Sequence, residues 1–297
     1  AAAALVRRID PSRPLHYEGP LMHDLHAAAP ETDVVCPMYP TIDAIVEWAR
    51  RGADSRRPLI MCEYSHAMGN SNGSLADYWD AIRAHHGLQG GFIWEWVEHG
   101  LPLGRTGPFG RPVWGYGGDF GDEPNDVNFV CDGLVAADRE PHPALEEVRW
   151  VGRPATVEWA QGGRRLRITN RRWFTGLDDL RAAWSLQVDG EEVAAGELEV
   201  PEVAPGESAL VARPFRPPRV RAGQEVHLTV TWTQRRAAPW AARGAFVARE
   251  QLEVAAPLRS GAAPAPRTTE APAPGLPEGI DPFAATPTAD ARAAMAE

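Results

Sequence analysis

Apolar positions in the first half of the chain come in short bursts that close on a carboxylate or an aromatic ring, while in the second half they alternate with polar ones. Ala1 to Ile9 reads as the tail of a helix, stopped by Asp10, Pro11 and Ser12, because proline cannot continue one. Pro14 to Glu18 (PLHYE) predicts a short strand ending on Glu18, and Asp33 to Tyr39 (DVVCPMY) a second ending on Tyr39. Ile42, Ile45, Val46 and Ala49 then share one face of an amphipathic helix over 42–50. A third burst, Leu59 to Cys62, stops on Glu63 and runs into Tyr64, Ser65 and His66. After the turn residues Gly69 to Gly73, Ala76, Trp79, Ile82 and Arg83 recur at helical spacing, and Gly91 to Trp96 predicts a fourth strand that carries Trp94 and Trp96 beside Glu95. Strand ends at Glu18, Tyr39, Glu63 and Trp94 are 21, 24 and 31 residues apart, which suits successive βα units. Four parallel strands with their helices make half of an eight-stranded barrel.

Gly100 to Gly121 is rich in glycine, proline and aromatics and shows no period, so it predicts a long irregular loop of the functional kind. Trp114 to Trp150 reads as a folded loop over the barrel mouth that ends in a short helix, Pro143 to Val148. From Ala155 the pattern turns to seven short alternating runs, TVEW, RLRITN, AAWSLQVDG, EEVAAGELEV, SALVARPF, EVHLTVTWTQ and AFVAREQLEV, separated by turn residues such as Asp189 and Gly190. Runs of that kind predict an antiparallel, immunoglobulin-like sandwich. Beyond Ala256 the chain is alanine, proline and threonine, with eight prolines from Pro257 to Pro287. The expected fold class is therefore α/β plus all-β: the C-terminal half of a (β/α)8 barrel over residues 1 to about 150, a β-sandwich over 155–255, and a linker or disordered tail over 256–297.

Composition narrows the function classes. The 297 residues have room for about two domains of ordinary size, and no apolar stretch approaches the roughly 20 residues of a membrane span. A net charge of -10 disfavours a nucleic-acid partner, which calls for a basic footprint. All the basic charge is arginine, with no lysine, and this reads as coding bias. Cys36, Cys62 and Cys131 lack metal-ligand spacing and are expected as reduced thiols in a cytoplasmic protein. The opening AAAALVRRID has neither an initiating methionine nor a signal-peptide pattern, so the chain is expected to be a piece of a longer one.

A carboxylate at the carboxyl end of a buried parallel strand sits where barrel folds keep their chemistry. Glu63 has that position, and Tyr39, Tyr64, Trp94 and Trp96 offer flat faces to a sugar, with His66 as a donor to a hydroxyl or to developing charge. A glycosidase needs two carboxyl groups across the scissile bond, about 5 to 5.5 Å apart in a retaining enzyme, and Glu63 suits the attacking one. On pattern alone the plain readings stand beside these: a solvated strand-end glutamate, a structural histidine, a core tryptophan.

Four segments taken together change the balance. CEYSHAMGN (Cys62 to Asn70), LQGGFIWEW (Leu88 to Trp96), YGGDFGDEPND (Tyr116 to Asp126) and DREPHPAL (Asp138 to Leu145) resemble, in order, the bacterial β-galactosidases of glycoside hydrolase family 2. The resemblance runs from the first residues to about Val254. It implies that Glu63 is the nucleophile, that substrate contacts continue through Tyr64, Ser65 and His66, and that Tyr39 and Trp94 match the family's strand-end tyrosine and tryptophan. It implies a sodium site through the backbone carbonyl of Phe129 and the side chain of Asp132, where an aspartate replaces the family's asparagine, and a magnesium-linked position at Asn125. It also implies a β-galactoside as substrate and a homo-oligomeric parent. The family's acid/base glutamate sits in an Asn-Glu motif that no segment of this chain reproduces. Two alternatives remain: another family 2 specificity, β-glucuronidase or β-mannosidase, and a non-catalytic carbohydrate-binding module.

Overall fold

The structure, a computed structural model, describes residues 2–22, 24–52 and 57–255. The predicted tail, 256–297, lies outside the described residues. Helix α1 (Ala2–Ile9) ends where the sequence predicts, with Asp10 Oδ1 accepting from the Ser12 N–H at 2.9 Å to turn the chain. Helix α2 (Ile42–Arg50) starts on Thr41, whose hydroxyl oxygen accepts from the Ala44 N–H, and buries Ile45 and Trp48. Strand β1 (Leu59–Tyr64), helix α3 (Leu75–Ala84) and strand β2 (Leu88–Ile93) form a βαβ unit with the two strands parallel. On β1's other side, Val35 bridges Leu59 and Met38 bridges Glu63, also in parallel.

The parallel layer is smaller than the periodicity predicts. Residues 14–18 form no strand, because their two N–H groups facing the next segment are taken by side chains. The Leu15 N–H donates to Asp33 Oδ2 at 2.7 Å and the Tyr17 N–H to the Thr32 hydroxyl at 3.2 Å, so no backbone ladder develops. The last strand stops at Ile93 rather than running to Trp96, with the Trp94–Glu95 peptide cis. The predicted irregular loop at 100–121 holds a hairpin, β3 (Leu101–Thr106) and β4 (Pro112–Gly115), antiparallel with Leu101 opposite Gly115. Strand β3 is almost wholly exposed and β4 is only four residues long, so the pair carries no apolar alternation for the sequence to reveal. Helix α4 (Ala144–Val151) follows the irregular segment 116–143.

Helices α2, α3 and α4 cover one side of this layer over a core of Val35, Ile45, Trp48, Leu59, Met61 and Leu88. Cys36 is buried in that core and Cys62 half-buried beside it. Burial, and then the nearby Cys36 and Glu63 charges, push the Cys62 thiol up to about 11. Helix α4 is bonded to α3 at both ends: Glu147 Oε1 accepts from the Ala76 N–H at 3.2 Å, and Arg83 donates to the Val151 carbonyl at 2.7 Å.

The second half is a sandwich of seven antiparallel strands, all seven of them the alternating runs of the sequence. A three-stranded sheet, β5-β6-β9, comprises β5 (Ala155–Ala160), β6 (Arg165–Asn170) and β9 (Ser208–Ala212). A four-stranded sheet, β11-β10-β7-β8, comprises β7 (Leu180–Val188), β8 (Glu191–Leu198), β10 (Val226–Gln234) and β11 (Phe246–Glu253). Leu166 and Ile168 of one sheet and Leu228, Val230 and Trp232 of the other fill the space between them. The Arg153–Glu250 pair, 2.8 Å apart and largely buried, bonds the end of α4 to β11.

Asn170, wholly buried at the end of β6, spends its amide on three backbone groups. It donates to the carbonyls of Thr175 and Val203 at 2.9 and 3.0 Å and accepts from the Arg172 N–H at 2.9 Å. Asn170→Ala strands them, and denaturant unfolding should register a loss of about 2–4 kcal/mol. A thiol held near 11 is almost wholly protonated at pH 8. Alkylation of Cys62 by iodoacetamide at that pH should run about 100-fold slower in the native protein than in the urea-unfolded chain, read by mass spectrometry of the modified peptide.

Candidate active site

In a regular strand Leu59, Met61 and Glu63 would share a face, because side chains alternate with a period of two. They do not. The register with β2 runs Met61 opposite Gly91 and then Tyr64 opposite Ile93, so β1 has one extra residue over this interval. Leu59, Met61 and Tyr64 are buried toward the helices, and Cys62 and Glu63 are left on the other side, half-exposed. A bulge re-aims a side chain in this way, and here it turns the carboxylate away from the apolar layer. Gly91 makes the packing possible, since a Cβ there would lie 2.8 Å from the Met61 Cβ and 2.9 Å from the Tyr64 ring.

Around Glu63 stand residues from four segments. Tyr39 follows the bridge at Met38, with its N–H donating to the Glu63 carbonyl at 2.9 Å. Burial, and then the Glu63 carboxylate to which its hydroxyl is directed, hold the Tyr39 phenol well above the ordinary range. His66 lies in the loop after β1, its ring 6.0 Å from that of Tyr39 and stacked 5.5 Å from that of Phe129. Trp94 follows β2, accepts from the Ala67 N–H at 2.7 Å through its carbonyl, and donates its indole N–H to Asp132 Oδ2 at 3.0 Å. Tyr39 and Ser65 both adopt positive φ, at 48° and 51°. Two such non-glycine residues at one rim mark strain of the kind that collects at functional sites.

Asp132 is the buried charge of the group, 2% exposed. Its Oδ1 has no hydrogen-bond partner among the described residues, and the same holds for His66 Nε2, which sits 3.6 Å from Asp132 Oδ2, beyond bonding range. Gly133 lets this loop dock, because a Cβ there would come within 2.3 Å of the Glu98 nitrogen. The docked backbone is then bonded along its length: the Glu95 N–H donates to the Asp132 carbonyl and the Leu134 N–H to that of Glu95, each at 2.9 Å. Glu95, between the two tryptophans, turns its carboxyl to His99 at 3.1 Å. Burial, the adjoining Asp132 and the charge of Glu63 raise its pKa, against the lowering pull of His99. Sequence reasoning gave Glu95 and His99 no role. The rule that picked out Glu63, a carboxylate just past a buried parallel strand, picks out Glu95 as well.

Not every expected residue joins the cluster. Tyr64 does not offer its side chain to the site, because the bulge buries its ring behind β1, where its hydroxyl accepts from the Trp79 indole at 3.0 Å. Ser65 is buried too, its hydroxyl donating to the Asn72 carbonyl at 3.3 Å. Asn125 is exposed, and its amide closes its own turn, donating to the Asp122 carbonyl at 2.9 Å and accepting from the Val127 N–H at 3.1 Å. That use of the amide shapes the loop and leaves one lone pair of the Asn125 oxygen uncommitted. Asp132 fits a cation better, since its unpartnered oxygen is of the kind a hard ion takes up. Phe129 is held nearby by the ring stack on His66. Among the described residues no group of three or more His, Cys, Asp or Glu is placed to hold a metal, so further oxygens would have to come from backbone carbonyls or from elsewhere.

Comparison with known proteins bears on the whole arrangement. Residues 1–156 match the family model "Glycosyl hydrolases family 2, TIM barrel domain", and residues 166–255 match "Beta-galactosidase, domain 4". A β-galactosidase of Aeromonas hydrophila is 41% identical over 275 residues, which is 89% of this chain and 26% of the relative. A β-galactosidase of Photobacterium profundum is 39% identical over 266 residues, 85% of this chain and 25% of the relative. The chain thus spans about a quarter of the length of the curated relatives it matches. Among solved structures, a β-glycosidase from Bacteroides vulgatus aligns over 85% of this chain and 34% of its own, at 11% identity and a TM-score of 0.34. With more than half of its length under the first of these family models, this chain belongs to glycosyl hydrolases family 2.

Proposed function

We propose that the chain is the C-terminal half of the catalytic barrel and the following immunoglobulin-like sandwich of a retaining β-galactosidase, with Glu63 as the nucleophile. The observation that supports this reading is the bulge in β1, which turns the Glu63 carboxylate out of the apolar layer at the carboxyl end of a parallel strand, beside Tyr39. The substrate assignment rests on relatives named β-galactosidase.

In this mechanism Glu63 attacks the anomeric carbon while a glutamate outside this chain protonates the leaving oxygen, and water then releases the sugar from the glycosyl-enzyme. Tyr39 donates to the carboxylate oxygen that does not form the bond, which orients the nucleophile and accommodates its loss of charge as the bond forms. Trp94 and His66 bound the space for the sugar, and Asp132 fixes the Trp94 ring. A cation held by Asp132 and the Phe129 carbonyl would offset the local excess of carboxylates and offer an electrophile to a sugar hydroxyl.

Glu63→Gln in the full-length parent keeps the shape and removes the nucleophile, so hydrolysis of a chromogenic β-galactoside should fall by about 10³-fold or more. A rate near wild type would remove Glu63 from the role. These 297 residues contain no Asn-Glu motif of the kind this reading assigns to the acid/base glutamate, and we expect no turnover of the same substrate by the purified chain. Measurable release of the chromophore by it would place the acid/base residue within the sequence described above.

A further inference from the structure

The other end of β1 and β2 from Glu63 opens on a cleft of about 670 Å³ between α3, the end of α4 and the 169–173 turn of the sandwich. Its lining includes Arg83, Arg153, Arg171 and Arg172, with His85 and His86, and no aspartate or glutamate. In a chain of net charge -10 that is an abrupt local reversal. Three of the arginines are partly engaged. Arg83 donates to the Val151 carbonyl, Arg153 pairs with Glu250, and Arg172 with Asp179. Arg171 has no ion pair among the described residues, and its charge, with that of Arg153, adds to burial in pushing the Arg83 pKa down. Arg83 also lies 3.7 Å from the Asp80 carboxylate, so three of the four arginines have a counter-charge and Arg171 is the guanidinium of the lining without one among the described residues.

The structural explanation covers part of this. Arg83 caps the carbonyl end of α4, and Arg153 bonds the two halves of the molecule. It does not cover Arg171, and it does not cover Trp173, which lies on the cleft wall with 81% of its surface exposed. An exposed indole and an unpaired guanidinium that line one cleft present a flat apolar face and a fork of donors to the same ligand. A saccharide ring offers C–H groups to the first, and a carboxylate or sulfate substituent accepts from the second. The volume lies in the range of small-ligand sites, about 300–1,000 Å³.

We propose that this cleft is a second saccharide site, specific for an anionic sugar and separate from the carboxylate cluster at the other end of the strands. Trp173 stacks on the ring and Arg171 pairs with its carboxylate or sulfate. A bare anion would make no use of the tryptophan, and a neutral sugar none of the arginines.

The test is calorimetric titration of the full-length parent with trigalacturonate and with a sulfated chondroitin disaccharide, against neutral galactotriose and inorganic sulfate. At least one anionic saccharide should bind with a Kd of about 1 mM or tighter. Arg171→Gln and Trp173→Ala should each weaken it about tenfold. Both side chains are exposed, so melting temperature and hydrolysis of a neutral chromogenic galactoside should be unchanged. Whichever of the two saccharides binds identifies carboxylate or sulfate as the recognised group. No binding of either at about 10 mM, equal binding of galactotriose, or binding that survives Trp173→Ala while inorganic sulfate does as well, would each overturn the proposal. Should Trp173→Ala fail to fold, Trp173→Phe keeps the ring and should retain most of the affinity, and its loss would overturn it equally.

Discussion

One extra residue in β1 is the constraint on which the site depends. Strict alternation after Leu59 and Met61 would drive the Glu63 carboxylate into the layer that packs on α3, where a buried charge without a partner costs several kcal/mol. The register shift sends Tyr64 there instead, and Tyr64 is suited to the place: its ring fills the space that Gly91 leaves open, and its hydroxyl is satisfied by the Trp79 indole. The apolar demand of the core and the polar demand of the rim are met by adjacent residues. Tyr64 is thus conspicuous beside Glu63 in sequence yet acts on the other side of the strand, as the packing residue that permits Glu63 to face outward.

A second constraint comes from far along the chain. Asp132 reaches the rim because Gly133 lets the backbone lie directly on Val97 and Glu98, and Trp94 is then fixed by the Asp132 carboxylate. Three carboxyl groups, Glu63, Glu95 and Asp132, are close enough to influence one another, and Glu95 answers by holding its proton more tightly. A cluster of that kind is electrostatically expensive when closed off, and it draws partners that carry positive charge or donate hydrogen bonds. The unpartnered Asp132 Oδ1 is the atom at which that demand is greatest.

What the sequence made legible follows from where its signals are strong. Helix α2 and all seven sandwich strands stand where apolar periodicity and turn residues put them, because they pack against a core, and helix α1, which buries no residue, is marked instead by the Asp-Pro-Ser stop that follows it. The β3–β4 hairpin left no such trace, since β3 is almost wholly exposed and β4 is four residues long with only Gly115 buried. Residues 14–18 looked like a strand by composition, but side chains of Thr32 and Asp33 took the hydrogen bonds a ladder needs. At the site, the position of Glu63 was legible from the abrupt end of an apolar run. The facing of Tyr64 and Ser65 was not, because a bulge leaves no mark in composition. Asn125 was singled out by resemblance alone, and the local turn it closes explains an asparagine there without a metal.

The chain's charge is segregated along its strands. Carboxylates gather past the ends of β1 and β2, and arginines gather where β2 begins, at Gly87 and Leu88. Six residues of strand at roughly 3.3 Å each put about 20 Å between the two groups, about twice the Debye length of roughly 8–10 Å at physiological salt. At that separation the arginines do little to offset what raises the Glu95 pKa, and the carboxylates do little to offset Arg171. Each cluster has to be accounted for by what lies next to it. For the acidic end that is the rim residues Tyr39, His66 and Trp94, and for the basic end an exposed indole on the wall of a cleft, so two unlike surfaces are served by opposite ends of the same pair of strands.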